Sequence, residues 1–272
     1  MTDSTGGGVA MVERTGYIDG EPCWADVVAA DLPAARHFYE ALFGWTYVDT
    51  GAEFGHYVMC LKDGRIVAGM SPPMPGSEQL PAAWSLYLMS HDLPGTAHRI
   101  EEHGGKLLVA PMDIPDNGRM LFAMDPSGAT FGAWEPGRHT GSQLFDENGA
   151  MCWAEVNTRE PTVTDFFYHG LFGYRQTRIA GTVSDSGDQP FDYSAWSLGD
   201  ADPVAGRLTM TSAWDGVPAH WTVYFATDDT DAAAQRVVAA GGRVQHGPFD
   251  SPHGRLAVIE DPNGGVFTII SR

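Results

Sequence analysis

The chain repeats itself, and the length of the repeat limits the folds open to it. Cys23–Trp45 aligns without a gap on Cys152–Tyr174, with nine of twenty-three positions identical. Further on, Trp84–Lys106 aligns on Trp221–Arg243, and both copies run on to a DPxG turn at Asp125–Gly128 and Asp261–Gly264. A unit of roughly 130 residues is too long for a solenoid repeat and has the size of a domain. The expected division is a flexible tail at 1–16, a first domain at 17–140 and a second at 146–272.

Each half divides again. Four strand-to-helix entries pass through Asp31, Asp92, Glu160 and Asp229. A short carboxylate at a helix N-cap accepts from free backbone N–H groups, and Pro33, Pro94 and Pro161 follow where a missing N–H costs nothing. After Asp31, the residues Leu32, Ala35, Phe38, Tyr39, Leu42 and Phe43 recur at helical spacing, and Gly44 ends the run. Strand-like stretches follow each helix, with turn signals such as Asp63-Gly64. The unit is βαβββ, present four times, an α+β architecture.

The residues also limit the partners. A formal charge of −19 repels phosphate backbones, so nucleic acid is not expected. No apolar run is long enough to span a bilayer, and the first residues lack a basic-then-apolar signal pattern. Three cysteines, an odd number, argue against a disulfide framework, and we expect a cytoplasmic monomer or homodimer.

The βαβββ repeats, the helix signature Phe38-Tyr39-Glu40-Ala41-Leu42-Phe43-Gly44-Trp45 and the DPxG turn before the last strand together resemble the vicinal oxygen chelate superfamily. More narrowly, the chain is similar to its tandem-domain actinobacterial members. The resemblance implies two glyoxalase/bleomycin-resistance-like domains, each a cup-shaped mixed sheet that holds a small molecule. It also implies where a metal would sit. Metal-using members place His or Glu on the first strand of a module, seven residues before the acidic cap, and Glu on the last strand. Here those positions hold Trp24, Ser85, Trp153 and Thr222, then Gly132 and Thr268, and the region around Ala68 and Arg207 offers no Glu. A divalent ion needs three or four converging N or O donors, so neither a metal nor another cofactor is expected.

Strand alternation points to what occupies the site instead. In the first strand of each half, Trp24 and Asp26, or Trp153 and Glu155, share one face, while Cys23 and Cys152 are expected on the helix side. The other two modules place Tyr87 and Tyr224 at the positions equivalent to Asp26 and Glu155. A carboxyl in an apolar cup gains a raised pKa and a Tyr can stabilise an oxyanion, so these four are the candidate catalytic residues. The equal alternative is that acid and phenol are spent on each other, as burial requires. Candidate ligand contacts are Trp24, Met120, Phe122, Trp134, Trp153, Asn157, Arg119 and His56, with Trp196 in the same aromatic cage and His139 and His220 near a pocket mouth. Asn157 in place of Val28, and the polar segment Ala180–Gln189, mark the halves as no longer equivalent. The aromatic surface of Trp134, Met120 and Phe122 favours the first half as the working one. The expected function is metal-independent acid–base chemistry of isomerase, lyase or cyclase type on a small organic or natural-product metabolite. The alternatives are sequestration of an aromatic natural product, as in self-resistance, and metal-dependent glyoxalase-like or dioxygenase chemistry.

Overall fold

A computed structural model describes residues 13–74, 76, 82–179 and 192–272. Most of the expected tail and the segment Ala180–Gln189 therefore lie outside the described residues. The four modules fold as read. The first gives β1 (Pro22–Val28), α1 (Leu32–Phe43), β2 (Thr46–Asp49), β3 (Val58–Lys62) and β4 (Arg65–Ser71). The second gives β5 (Trp84–Met89), α2 (Leu93–Glu102), β6 (Lys106–Ile114), β7 (Gly118–Met124) and β8 (Thr130–Pro136). The second half repeats the pattern as β9 (Met151–Thr158), α3 (Pro161–Phe172), β10 (Tyr174–Ile179), β11 (Tyr193–Leu198) and β12 (Pro203–Thr209). It closes with β13 (His220–Ala226), α4 (Thr230–Ala239), β14 (Arg243–Ser251), β15 (Gly254–Glu260) and β16 (Val266–Ser271). Each half forms one open eight-stranded mixed sheet, ordered β2-β3-β4-β1-β5-β8-β7-β6 and β10-β11-β12-β9-β13-β16-β15-β14.

Local chemistry sets the element ends. Asp31, Asp92 and Asp229 accept from the backbone N–H groups of Ala34, Gly95 and Ala232, each at 3.0 Å. Glu160 makes no such bond; Thr158 Oγ1 takes the Glu160 N–H instead, at 3.0 Å. Gly44 and Gly173 end their helices in the left-handed region, as the sequence requires of a residue without Cβ.

The helix-bearing faces of the two sheets meet in a single core, α1 against α4 and α2 against α3. The junction is reciprocal. Tyr39 of α1 donates to Asp261 Oδ2 at 2.8 Å, and Tyr168 of α3 donates to Asp125 Oδ2 at 3.2 Å. Trp84 and Trp221 in turn donate to the Tyr39 and Tyr168 hydroxyls at 3.0 and 2.7 Å. Phe38 lies on Gly242 and Phe167 on Gly105, where any Cβ would stand 2.5 and 2.8 Å from the ring. Trp196 belongs to this core, stacked on Tyr174 and donating to Asp165 at 2.9 Å. Its place in an aromatic cage was a misreading: on β11 it faces the helices.

Removing the tyrosine hydroxyl leaves Asp261 or Asp125 short of a donor and the indole N–H short of an acceptor, a cost of roughly 1–3 kcal/mol per site. Tyr39→Phe and Tyr168→Phe should each lower the free energy of unfolding by about that much, and the pair should be near-additive. Chemical denaturation checks this, and unchanged midpoints in both variants would contradict it.

Candidate functional site

The faces turned away from the shared core carry the candidate residues. In the first half, β1 pairs with β5 so that Trp24 stands opposite Tyr87 and Asp26 opposite Ser85. Parallel pairing sets Asp26 beside Gly69 of β4 and Tyr87 beside Gly132 of β8. Asp26 is 8% exposed. Its Oδ2 accepts from two phenols, Tyr87 and Tyr57, each at 3.0 Å, and the Tyr57 hydroxyl accepts from Trp24 Nε1 at 3.0 Å.

The second half holds the same assembly. Glu155, 6% exposed, receives hydrogen bonds from Tyr224 and Tyr193, and Trp153 Nε1 donates to the Tyr193 hydroxyl at 2.8 Å. Burial pushes the Asp26 carboxyl up to about 6 and Glu155 up to about 7, against the opposing pull of their phenol donors. The four phenols are pushed well above their ordinary range by burial and by the adjacent acid. In each cluster burial moves the carboxyl towards neutrality and the phenols away from it.

Tyr57 and Tyr193 escaped the sequence reading, although a signal existed. Tyr57-Val58-Met59-Cys60 aligns on Tyr193-Ser194-Ala195-Trp196, and Val67-Ala68-Gly69 on Val204-Ala205-Gly206. The two glycines are the floor of the site. A Cβ on Gly69 would stand 1.8 Å from the Tyr57 hydroxyl, and one on Gly206 would stand 2.0 Å from that of Tyr193. Neither glycine has a positive φ, so the requirement is close approach, not backbone freedom.

Other predicted contacts sort by place. Trp24, Tyr87, Trp134, Met120 and Phe122 form one cluster, with Phe122 edge-on to Tyr87 at 5.2 Å between ring centres. Asn157 is buried on β9, beyond Glu155. Arg119 pairs with Asp113 at 3.0 Å and Glu135 at 3.5 Å, and His56 pairs with Asp49 on an exposed turn at 3.4 Å; neither joins the cluster. The cysteines require a correction. Cys23 packs with Trp24, Tyr87 and Trp134, not with the helices, and Cys152 borders a cleft alongside Trp153. Register shifts at Pro22/Trp24 and at Tyr224/Phe225 are bulges that break the alternation there. Both thiols are buried and raised well above their ordinary pKa, Cys152 to about 12.

The inherited metal positions do not fit an ion. An indole N–H has no lone pair to give, Gly132 has no side chain, and Ser85 stands opposite Asp26. Among the described residues no three His, Cys, Asp or Glu side chains come together as an ion requires. Nor, among those residues, is any helix long and apolar enough to cross a membrane.

Comparison with known proteins agrees with this architecture. The family model described as "Glyoxalase/Bleomycin resistance protein/Dioxygenase superfamily" matches residues 23–132 and again 153–269. CFP32 of Mycobacterium tuberculosis, which carries the name of a glyoxylase, is 37% identical over 264 residues, covering 96% of this chain and 98% of its own. The anthracycline biosynthesis protein DnrV of Streptomyces peucetius is 34% identical over 273 residues, covering 94% of each chain. Among solved structures, a Mn(II)-bound glyoxalase from Novosphingobium aromaticivorans superposes with a TM-score of 0.63 at 15% identity, covering 93% of this chain and 82% of its own. The 2,3-dioxygenase LapB from Pseudomonas sp. KL28 does so with a TM-score of 0.63 at 13% identity, covering 94% of each. At such identities the structures share the fold alone. By its sequence, its duplicated βαβββ halves and its full-length relatives, the chain belongs to the glyoxalase/bleomycin resistance/dioxygenase superfamily.

Proposed function

We propose that the protein is a metal-independent enzyme that moves protons on a small carbonyl-bearing aromatic metabolite, in a reaction of isomerase, lyase or cyclase type. The observation that carries this reading is the twin carboxyl–diphenol cluster, Asp26 with Tyr57 and Tyr87, and Glu155 with Tyr193 and Tyr224. A carboxyl with its pKa at about 6 or 7 is a useful general acid and base at neutral pH, because it exists in both forms. The protonated acid gives its hydrogen to the substrate oxygen. The two phenols then hold the resulting carboxylate, which accepts a proton from the carbon next to the carbonyl. Proton number balances and no oxidant is needed. Two of the relatives are named for anthracycline biosynthesis, which makes polycyclic aromatic ketones the first class to screen.

A second reading, sequestration without turnover, draws support from the same bonds, since the phenols are already committed to the acid. Deuterium separates the two. A carbonyl compound found by thermal shift should exchange its α-hydrogen in D2O in the presence of the protein. Asp26→Asn combined with Glu155→Gln should slow that exchange ~100-fold or more. Binding with no exchange, and an affinity for a neutral ligand unmoved by the double variant, would replace the catalytic reading with the sequestering one.

The same clusters set a pH dependence. Both carboxyls have folded pKa values above their ordinary 3.8 and 4.5. The folded state therefore holds protons that the unfolded chain releases, and this stabilisation is complete below about pH 4. It is lost as pH rises through about 6 and 7. Relative to the Asp26→Asn/Glu155→Gln variant, the wild type should lose stability between pH 4 and pH 7, by at most roughly 3 kcal/mol per carboxyl. Denaturation curves of both proteins across that range measure the difference, and a difference that is flat or grows with pH contradicts the assignment.

A further inference from the structure

The second half buries charge where the first half is apolar. Val67-Ala68-Gly69-Met70 aligns on Val204-Ala205-Gly206-Arg207, and His56-Tyr57-Val58 on Asp192-Tyr193-Ser194. Met70 and Val58 are 0% exposed, and Arg207, in the place of Met70, is 4% exposed. Gly206 and Arg207 belong to opposite faces of β12, the glycine under the Tyr193 hydroxyl and the arginine toward α3. All five guanidinium N–H groups find acceptors. Nη1 donates to Asp192 Oδ2 at 3.0 Å and Thr209 Oγ1 at 2.6 Å, and Nη2 to Ser194 Oγ at 2.9 Å. Nη2 and Nε also meet the two carboxylate oxygens of Asp165 at 3.2 and 3.4 Å.

Packing alone does not call for this cluster. A buried ion pair gains little or no stability over apolar side chains of the same volume. The first half folds the same strands around Met70 and Val58. What an apolar side chain cannot do is grip the chain on both sides of a tyrosine. Asp192 and Ser194 flank Tyr193, and both are bonded to Arg207. Thr209 Oγ1 ties the same corner, donating to Asp192 Oδ2 at 2.5 Å. In the first half Tyr57 is held through its own carbonyl, which accepts from the Thr50 N–H and hydroxyl, each at 2.9 Å. On the cup face, the Tyr193 hydroxyl donates to Glu155 and accepts from Trp153 Nε1.

We infer that Arg207 is a positioning residue for the second cup: from behind the sheet, its guanidinium fixes the chain on both sides of Tyr193 and so holds that phenol on Glu155. This deepens the acid–base reading and rests on it for the role of Glu155. Tyr193 is one of the two donors that draw the Glu155 carboxyl down against burial. The fork on Arg207 therefore sets how far that carboxyl rises. Asp26 stands apart from any such control, because Met70 and Val58 fill the corresponding places behind Tyr57.

Titration of both carboxyls in one sample tests this without a ligand. With carbon-13 in the side-chain carboxyls of aspartate and glutamate, NMR reads Glu155 and Asp26 together, each identified by the signal lost in Glu155→Gln or Asp26→Asn. Arg207→Met should raise the Glu155 midpoint by ~0.5 pH units or more and leave Asp26 within ~0.2, as loss of one donor to a charged group allows. A merely structural role would lower stability without moving Glu155, or would move both acids. Arg207→Lys keeps the charge without the fork and should shift Glu155 in the same direction. Should Arg207→Met fail to fold, Ser194→Ala combined with Thr209→Val loosens the same flanks and should also raise the midpoint. A Glu155 midpoint unmoved in the variant that folds, an equal shift at Asp26, or a wild-type midpoint in Arg207→Lys overturns the inference. Its failure is distinguishable from failure of the catalytic reading. A shifted Glu155 without deuterium exchange on any carbonyl ligand leaves the positioning and removes the chemistry; exchange lost in Glu155→Gln with an unmoved midpoint in Arg207→Met does the reverse.

Discussion

Everything in this molecule hangs on the reciprocal bond between a helix tyrosine of one half and the turn aspartate of the other. Asp125 Oδ1 accepts from the backbone N–H groups of Ser127 and Ala129, and Asp261 Oδ1 from those of Asn263 and Gly265. The DPxG turn is thus satisfied by one oxygen, and the second is free to receive Tyr168 or Tyr39. One residue type closes a turn, positions the last strand and docks the opposite half. Because that docking uses the helix faces, each sheet must turn its other face outward. Two separate cups are the geometric consequence.

An outward cup built on strands meets a problem at Asp26 and Glu155, since a carboxyl buried among aromatics is costly without donors. Two phenols meet that need in each half. They approach closely only because Gly69 and Gly206 leave room for Tyr57 and Tyr193 to lie against the sheet. The site therefore depends as much on missing side chains as on present ones. A methyl group at either glycine would drive out the tyrosine, and the carboxyl would lose one of its two stabilising donors.

Most of the scaffold is legible in the sequence because it rests on local chemistry. The aspartate caps, the Gly44 stop and the Asp63-Gly64 hairpin each follow from a residue's own backbone needs. The acid positions follow from alternation on one strand, and Tyr87 and Tyr224 from carrying that count across the repeat. Tyr57 and Tyr193 were missed because β3 and β11 follow connections of unequal length, which breaks a simple count. The cysteines were misplaced because a bulge changes the face of one residue without leaving a mark in composition. Trp196 was misplaced for a related reason: an aromatic on an alternating strand is core on one face and wall on the other, and only the register decides. His139, set near a pocket mouth by its place at a linker end, packs edge-on to Trp24.

The divergence of the halves reduces to a few atoms. Tyr87 lies over Gly132, where a Cβ would stand 2.3 Å from its ring. At the matching register Tyr224 meets Thr268, whose side chain occupies that space. Tyr224 is half-buried there, where Tyr87 is buried. The pocket-facing partners change in the same direction, from Trp134 and Met120 to the smaller Ile270 and Leu256. Larger side chains on a glycine floor fill the first cup with its own residues. Smaller ones stand around the half-buried Tyr224 in the second. Aromatic richness, which on sequence grounds favours the first half as a binding surface, brings Trp24, Tyr87 and Trp134 into mutual contact in the folded chain, where they are 3%, 5% and 6% exposed.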